Sequence, residues 1–504
     1  MPTRQAGERP DATAISQDGA VTTFAALDAR ANQVAHGLLA SDLGEDSRIA
    51  VLDKNSATYF ELVFGAARAA ATLVPLNWRL AAEELHYIMS DAEVALLFVA
   101  PEFADTVGAI ADRLPKLREI ITLDAAYTRW RDEQSAQPVS TVVPSDRALI
   151  QMYTSGTTGK PKGAILTHGN IHAALENSSP EMGPFTPDDV LQVIMPQFHI
   201  AGTMWGLFGT FNGARAEIIR EFSPEGAVDN IQRAGITHTF IVPAALNAIL
   251  QSPASRSADF SLLARVYYGA APIPSDLLMK AIDVLGCAFV QLYGLTETCG
   301  VVTYLPAEDH APGNPEMLRS CGKPFSGIEL RIVGPDGTDV AAGEVGEIAL
   351  RGERLFEQYW KLPEATREAR PDGWFRTGDA GYLNADGYLF IHDRMKDMIV
   401  SGAENIYPAE VENAIFGHDA VAEVGVIGVP DKKWGEAVKA CVVLKPGAAT
   451  DESSIIAFAR QRIAGYKVPK SVDFVADLPR NASGKLLRRQ LREPYWAGID
   501  RRVN

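Results

Sequence analysis

The sequence predicts an α/β protein, with a large N-terminal domain of parallel-type α/β sheets that includes a small antiparallel β subdomain, followed by a small α+β C-terminal domain. Three observations predict it. At 504 residues the chain exceeds what one hydrophobic core supports. Between about residues 50 and 300, short β-rich runs alternate with Ala-rich helical stretches, the pattern of parallel strands joined by helices. After about residue 320 the texture changes to short alternating strands with tight turns, and beyond residue 397 a new unit begins that is long enough to fold as a domain.

Taken in order, Arg48-Ile49-Ala50-Val51-Leu52 reads as a strand and residues 60–71 as a helix. Ala148-Leu149-Ile150-Gln151-Met152-Tyr153 is a short apolar run that fits a buried strand, and Thr239-Phe240-Ile241-Val242-Pro243 is another β-rich run. Further on, Gly334-Pro335-Asp336-Gly337 marks a turn, and Asp386-Gly387 between alternating apolar residues is a strong hairpin signal. A helix opened by Pro408 carries Val411 and Ile415 on one face and leads to a strand over 423–429. No low-complexity linker or internal repeat is visible. The expected division is therefore 1–394 and 395–504, with a short charged hinge at Arg394, Lys396 and Asp397.

Charge and composition exclude several classes of function. A net charge of −16 and a pI near 5.1 repel nucleic-acid phosphates over most of the surface. The charge is uneven, with +2 on residues 395–504 and −18 on the remainder, so the C-terminal part repels anions less. Cys287, Cys299, Cys321 and Cys441 form no Cys-x-x-Cys pair, which points away from a disulfide framework or zinc site and toward a reducing cytoplasm. The N-terminus has no apolar leader segment, and runs such as 94–100 are far too short to span a bilayer. The expectation is no transmembrane segment, with peripheral membrane contact and a homodimer left open.

Residues 154–163, Thr-Ser-Gly-Thr-Thr-Gly-Lys-Pro-Lys-Gly, follow the 148–153 strand and have the composition that wraps a polyphosphate. Gly156 and Gly159 allow the backbone to turn tightly and present N–H groups, and Thr154, Ser155, Thr157 and Thr158 add donors. Lys160 and Lys162 add charge. Pro161 stands where a Walker A loop requires Ser or Thr, so a P-loop fold is not implied.

Four more segments join this loop: Tyr293-Gly294-Leu295-Thr296-Glu297, Trp374-Phe375-Arg376-Thr377-Gly378-Asp379, Asp393-Arg394-Met395-Lys396-Asp397 and Pro479-Arg480-Asn481-Ala482-Ser483-Gly484-Lys485. Together and in this order they resemble the adenylate-forming (ANL) superfamily, specifically the acyl-CoA synthetases. The resemblance implies two steps. A carboxylic acid and Mg-ATP give an acyl-adenylate and pyrophosphate, and the thiol of coenzyme A then displaces AMP. It also implies a C-terminal domain that moves between the steps. Thr154, Ser155, Gly156, Thr157, Thr158, Gly159 and Lys162 would hold phosphates, and Thr296 would donate to the α-phosphate. Glu297, with Thr154 beside it, would take Mg²⁺. Lys485 would bring a mobile ammonium to the carboxylate and the α-phosphate. Gly269, Ala270, Ala271, Tyr293 and Gly294 would enclose the adenine, and Asp379 and Arg394 would bind the ribose. Lys396 matches the hinge position.

For the acid, the resemblance implies Phe198, His199, Ala201, Gly202, Met204, Trp205, Cys299, Gly300 and Val301, an apolar set beside which no lysine or arginine stands out. A hydrophobic monoacid follows, first a medium- or long-chain fatty acid and alternatively an aryl acid of the cinnamate or benzoate type. Ser401, Gly402 and Glu404 match the loop that lines the path of coenzyme A, with Ala403 departing from the frequent Gly-Gly pair. Transfer to a carrier-protein thiol, a luciferase-like oxidation of the adenylate and a non-catalytic nucleotide-binding module are the competing readings. Retention of Lys485, Glu297 and Asp379 argues against the last.

Overall fold

The computed structural model describes residues 1–41, 43, 47–155, 160–310, 313–314, 316–401, 404–431, 433–481 and 484–497, with Ser155, Arg394 and Lys396 described by their backbone alone. Gly156, Thr157, Thr158, Gly159 and Gly402 lie outside the described residues. Among the described residues the strands form sheets of nine, seven, four and five strands.

The two largest sheets carry the N-terminal part. In one, Val190–Val193, Arg215–Ile218, His238–Ile241, Arg265–Gly269 and Ala288–Leu295 run parallel, and Gly300–Leu305 returns antiparallel to the last of them. In the other, Arg48–Leu52 lies between Thr72–Pro75 and Val94–Val99, all parallel. Ala148–Ser155 extends that sheet and turns back as Pro161–Thr167. Every residue of Arg48–Leu52 and Val94–Val99 is buried, which is why these segments read as unbroken apolar runs and not as alternating ones: helices cover both faces.

The helices follow local chemistry. The expected helix over 60–71 forms as Ala57–Ala69, because the Ser56 hydroxyl caps it by accepting the Tyr59 N–H and Ala70 ends it in the left-handed region at φ 56°. Helix Ile200–Asn212 is apolar almost all round and is buried from Gly202 to Thr210. It is packed so closely that a Cβ on Gly206 would lie 2.1 Å from the Phe60 ring. One core of buried residues, including Phe60, Phe98, Trp205, Tyr267 and Phe325, runs through both sheets. Truncating any one of these aromatic residues to alanine would cost roughly 3–5 kcal/mol.

The region after residue 320 is antiparallel, as its texture indicates: Ile328–Val333, Gly346–Gly352, Phe375–Leu383 and Leu389–Arg394 pair in order, and Asp386-Gly387 lies in the turn between the last two. The turn Met395–Asp397 then leads to the C-terminal sheet, whose central strands are Val421–Asp431 and Gly435–Leu444. This unit has a core of its own, with Ile399, Val411, Ile415, Val426, Val438 and Ile455.

Two of the basic residues near the C-terminus, Arg488 and Arg492, are paired with acids and largely withdrawn from solvent. Arg488 is buried and donates to Glu412 at 2.8 Å and to Asp393 at 3.4 Å, and Arg492 lies 3.2 Å from Asp397. Both aspartates flanking the 395–397 turn are therefore paired with arginines of the terminal helix Arg488–Trp496.

Candidate active site

Glu297 anchors the polar half of the site. It lies in the turn Thr296–Thr298 just after the Ala288–Leu295 strand, at the carboxyl end of a parallel sheet, where α/β proteins gather ligands. It is only 8% exposed. Its Oε1 accepts from the Tyr359 hydroxyl at 2.8 Å and from the Thr154 hydroxyl at 3.4 Å, and the Phe356 N–H donates to its carbonyl at 2.7 Å. Among the described residues none donates to Oε2. A carboxylate held by one oxygen, with its other hard oxygen left over, fits a magnesium ion that completes its shell from phosphates and water. Among the described residues there is no cluster of three metal-ligating side chains. Lys162 stands opposite Thr154 in the hairpin, its ammonium 5.1 Å from the Tyr359 ring. Thr296 heads the same turn as Glu297.

Tyr293 and Asp379 also come together, the hydroxyl donating to Oδ2 at 2.7 Å. Asp379 is 5% exposed and stands opposite Arg394 in strand register. The sequence points to Tyr293 as a flat face for adenine; in the structure its hydroxyl additionally fixes the acid expected to meet the ribose. Around them the backbone is in tight contact. A Cβ on Gly269 would lie 2.0 Å from the Leu292 carbonyl oxygen, and one on Gly294 only 1.7 Å from that of Gly300. Ala270 has φ 64°, a conformation that costs an L-residue about 1 kcal/mol, and it adjoins Ala271 on this segment.

A support beneath Thr154 is not legible in the sequence. Tyr153, directly before Thr154, donates to Asp91 Oδ2 at 2.6 Å and accepts from the Gln151 amide at 3.0 Å. The Gln151 carbonyl accepts from Arg48 at 3.0 Å, and the Arg48 guanidinium lies 3.5 Å from the centroid of the Trp360 ring. The Trp360 indole N–H closes the ring by donating to the Asp91 carbonyl at 2.9 Å. The Trp360 backbone N–H also bonds Gly163 O at 2.7 Å, so both arms of the loop hairpin are tied. These partners are far apart in the chain, and only the sheet order brings them together.

The apolar half is built differently. His199 precedes helix Ile200–Asn212, and its ring centroid is 4.9 Å from that of Phe198. Its Nε2 is buried without a hydrogen-bond partner among the described residues, and burial, then the nearby Arg79 charge, draws it down to about 4, so the ring is neutral at pH 7. Gly300 faces the same helix: a Cβ there would lie 3.7 Å from Met204 and 3.9 Å from Ile200. Segments 198–204 and 299–301 are thus neighbours, with Ala201 half-buried between solvent and core. Cys299 is 1% exposed, and burial pushes its thiol above the ordinary range.

Two of the expected pocket residues are taken up by packing. Gly202 lets the helix abut the Pro196 carbonyl, where a Cβ would lie at 2.3 Å. Trp205 is 3% exposed, donates its indole N–H to Gln192 O at 2.9 Å and has its ring centroid 5.0 Å from that of Tyr267. Arg354, which the sequence does not single out, donates to the Val301 carbonyl at 2.8 Å.

The C-terminal unit meets the N-terminal part here. The Lys485 N–H bonds Asn481 Oδ1 at 2.8 Å and Arg480 bridges to Leu486, which shapes a tight loop. Gly484 lies against Val242, and both line a cavity of about 250 Å³ with Trp78, Arg79, Met195 and Pro196. Lys485 thus adjoins the cavity bordered by the strand end that leads into His199. Ser401 and Glu404 pair with each other, and Ser401 pairs with Gly435, so both belong to the C-terminal sheet.

Comparison with known proteins places the whole chain in one family. Residues 2–360 match the family described as AMP-binding enzyme, and residues 410–485 match the AMP-binding enzyme C-terminal domain. The chain is 38% identical to the fatty acid–[acyl-carrier-protein] ligase ScoC of Streptomyces coeruleorubidus, with 99% of this chain and 96% of that protein covered. It is 40% identical to a feruloyl-CoA synthase of Amycolatopsis sp., covering 98% of each. It is 36% identical to the long-chain-fatty-acid–CoA ligase FadD13 of Mycobacterium tuberculosis, covering 95% and 94%. Among solved structures, the anthranilate CoA ligase AuaEII in complex with anthranoyl-AMP superposes with a TM-score of 0.92 at 27% identity, covering 98% and 96%. ATP-bound MatB from Rhodopseudomonas palustris gives 0.90 at 31% identity, covering 99% of each chain.

Proposed function

The chain belongs to the AMP-binding enzyme family, as an AMP-forming acyl-CoA synthetase of the adenylate-forming superfamily, and from that premise we propose that it joins a carboxylic acid with an apolar body, in the first reading a medium- or long-chain fatty acid, to coenzyme A. Activation by ATP and capture by coenzyme A belong to the class. The observation that carries the proposal for these residues is the convergence of Thr154, Tyr359 and Glu297 on one side, Tyr293 and Asp379 on another, and the Lys485 loop at the cavity beside Met195 and Pro196.

In this reading, adenylation is a problem of charge. An anionic carboxylate approaches the α-phosphorus, so cations and N–H donors must be fixed where charge accumulates. Tyr359 and Thr154 orient Glu297 so that its Oε2 would hold magnesium, which when bound neutralises phosphate charge. Lys162 and the loop before it hold the β- and γ-phosphates, and Asp379, aimed by Tyr293, accepts from the ribose. Lys485 brings its ammonium to the oxygens of the carboxylate and the α-phosphate. His199, neutral and apolar in its surroundings, keeps water from the acyl bond. The C-terminal domain, residues 395–504, then turns about Lys396 and presents Ser401, Gly402 and Glu404 to the pantetheine chain.

Pyrophosphate release on adding an acid to enzyme, ATP and Mg²⁺, with and without coenzyme A, tests this. Release with both acid and coenzyme A, yielding a thioester, is expected. Release of AMP without thioester would transfer the second step to a carrier-protein thiol, the reaction named for ScoC. No release with any acid would refute the ligase reading. A panel of fatty, cinnamate-type and benzoate-type acids decides between chain and ring, and the relatives include proteins named for each kind. Among the described residues no helix is long and apolar enough to cross a membrane. The four cysteines are free thiols, in keeping with a cytoplasmic setting. Association as a homodimer is open to light scattering.

A further inference from the structure

Arg354 is the anomaly of the acyl side. It is among the largest fully buried side chains, 1% exposed, and no carboxylate pairs with it among the described residues. Its Nη1 donates to the Ser178 hydroxyl at 2.7 Å and to the Val301 carbonyl at 2.8 Å. Its Nε and Nη2 are buried and reach no acceptor among the described residues. The Phe325 ring lies 5.4 Å from the guanidinium carbon. Glu181, whose charge does reach it, is already engaged by the Ser326 N–H at 2.9 Å. Burial, the larger influence, draws the guanidinium down to about 10. A buried cation with no carboxylate paired to it, and with two nitrogens unsatisfied among the described residues, is costly to fold around, and such a group calls for an explanation, of which a ligand that completes it is one.

Its position indicates which ligand. Val301 follows Gly300, whose missing side chain faces Met204 and Ile200 of the helix proposed to wall the acid. The strand carrying both runs back antiparallel from the turn that holds Glu297. The segment carrying Arg354 also supplies Phe356 and Tyr359, which hold Glu297. We infer that Arg354 is the specificity-determining residue for the far end of the acid, donating through Nε and Nη2 to an oxygen acceptor there, most strongly to a second carboxylate. The inference rests on the acid-ligase reading of the site. It applies to a chain or a ring alike, because it concerns only the end remote from the carboxyl group being activated.

The test uses the full-length enzyme with sets of acids of matched length ending in methyl, hydroxyl or carboxylate, in both saturated-chain and cinnamate series. For each, kcat/KM for pyrophosphate release and the thermal shift on binding are measured. Wild type should favour the oxygen-bearing ends by about tenfold or more, as a site with unfilled donors discriminates against a ligand that cannot fill them. Arg354→Met should bring that ratio near one while still turning over methyl-ended acids, and Arg354→Lys should keep part of the preference for carboxylate. Equal use of all ends by wild type, the result expected if ordered water alone satisfies the guanidinium, would overturn the inference without any variant. So would an unchanged ratio in Arg354→Met. If no acid is turned over but the wild-type thermal shift still favours oxygen-bearing ends, the ligase reading fails and the assignment of Arg354 stands.

Discussion

The nucleotide half and the acyl half of the site are built on opposite principles. Around the nucleotide, polar side chains are matched to one another within the protein: Tyr293 to Asp379, Tyr359 and Thr154 to Glu297, and the ring Tyr153, Asp91, Trp360, Arg48, Gln151. Around the acid, backbone and apolar side chains are packed closely, yet His199 Nε2 and the Arg354 Nε and Nη2 are left without partners among the described residues. In the proposed reading, the first half is preorganised for a constant ligand, whereas the second is completed by its ligand. Preorganised dipoles need not rearrange at the moment of reaction, which is how fixed donors become effective.

Perturbing each half separately should break this contrast or sharpen it. The largest effect is expected from the group that both halves share. Lys485→Ala should lower adenylate formation by about 10³-fold, the scale of losing a charged donor at the transition state. Thioester formation from supplied acyl-adenylate should stay within a few-fold of wild type, and equal loss in both steps would remove Lys485 from the first step alone. Next, Glu297→Gln should cost on the order of 10²-fold in pyrophosphate release. Raised Mg²⁺ should restore part of it, and full activity at ordinary Mg²⁺ would exclude the carboxylate from the metal site.

Smaller is Tyr153→Phe, which removes one hydrogen bond to a carboxylate and should raise KM for ATP by roughly tenfold. It should leave kcat and the KM for the acid nearly unchanged, whereas a mere loss of stability would lower kcat as well. On a separate scale, stability and not activity, stands a pH effect from the acyl side. His199 is held neutral down to about 4, below its ordinary value of about 6.5. Between these values the unfolded chain takes up a proton that the folded chain refuses, so the stabilisation is full above pH 6.5 and declines as pH falls toward 4. The loss is at most about 3 kcal/mol from this residue. Urea midpoints measured from pH 7.5 to 4.5 should fall less steeply in His199→Gln, and parallel curves would show that the imidazole already has its proton in the folded state.

How much was legible follows from the same contrast. Parallel sheets, the antiparallel region after residue 320 and the C-terminal unit were readable because burial on both faces gives unbroken apolar runs and Asp-Gly favours a tight hairpin turn. The motif residues Thr154, Glu297, Tyr293, Asp379 and Lys485 were visible as short local patterns. What stayed hidden depends on sheet order and packing: Asp91 beneath Tyr153, Tyr359 on Glu297, and Trp205 turned into the core because its indole N–H finds the Gln192 carbonyl. Arg354 was invisible for the opposite reason. An arginine two residues before Phe356 and beside Glu353 looks like an ordinary surface cation until Ser178 and Val301 are seen to enclose it.

The close approach of Gly294 to the Gly300 carbonyl has a consequence for how such an enzyme diversifies. In the proposed reading, the wall of the adenine slot and the wall of the acid slot are two strands of one hairpin, with no side chain between Gly294 and Gly300 to absorb a shift. Redesign that enlarges the acid slot by moving residues 300 and 301 will therefore be felt by the base, as a weakened hold on ATP. Changes made from the opposite wall, at Met204 or Ile200, can alter the acid while sparing that hold. New specificities should accumulate on the helix first.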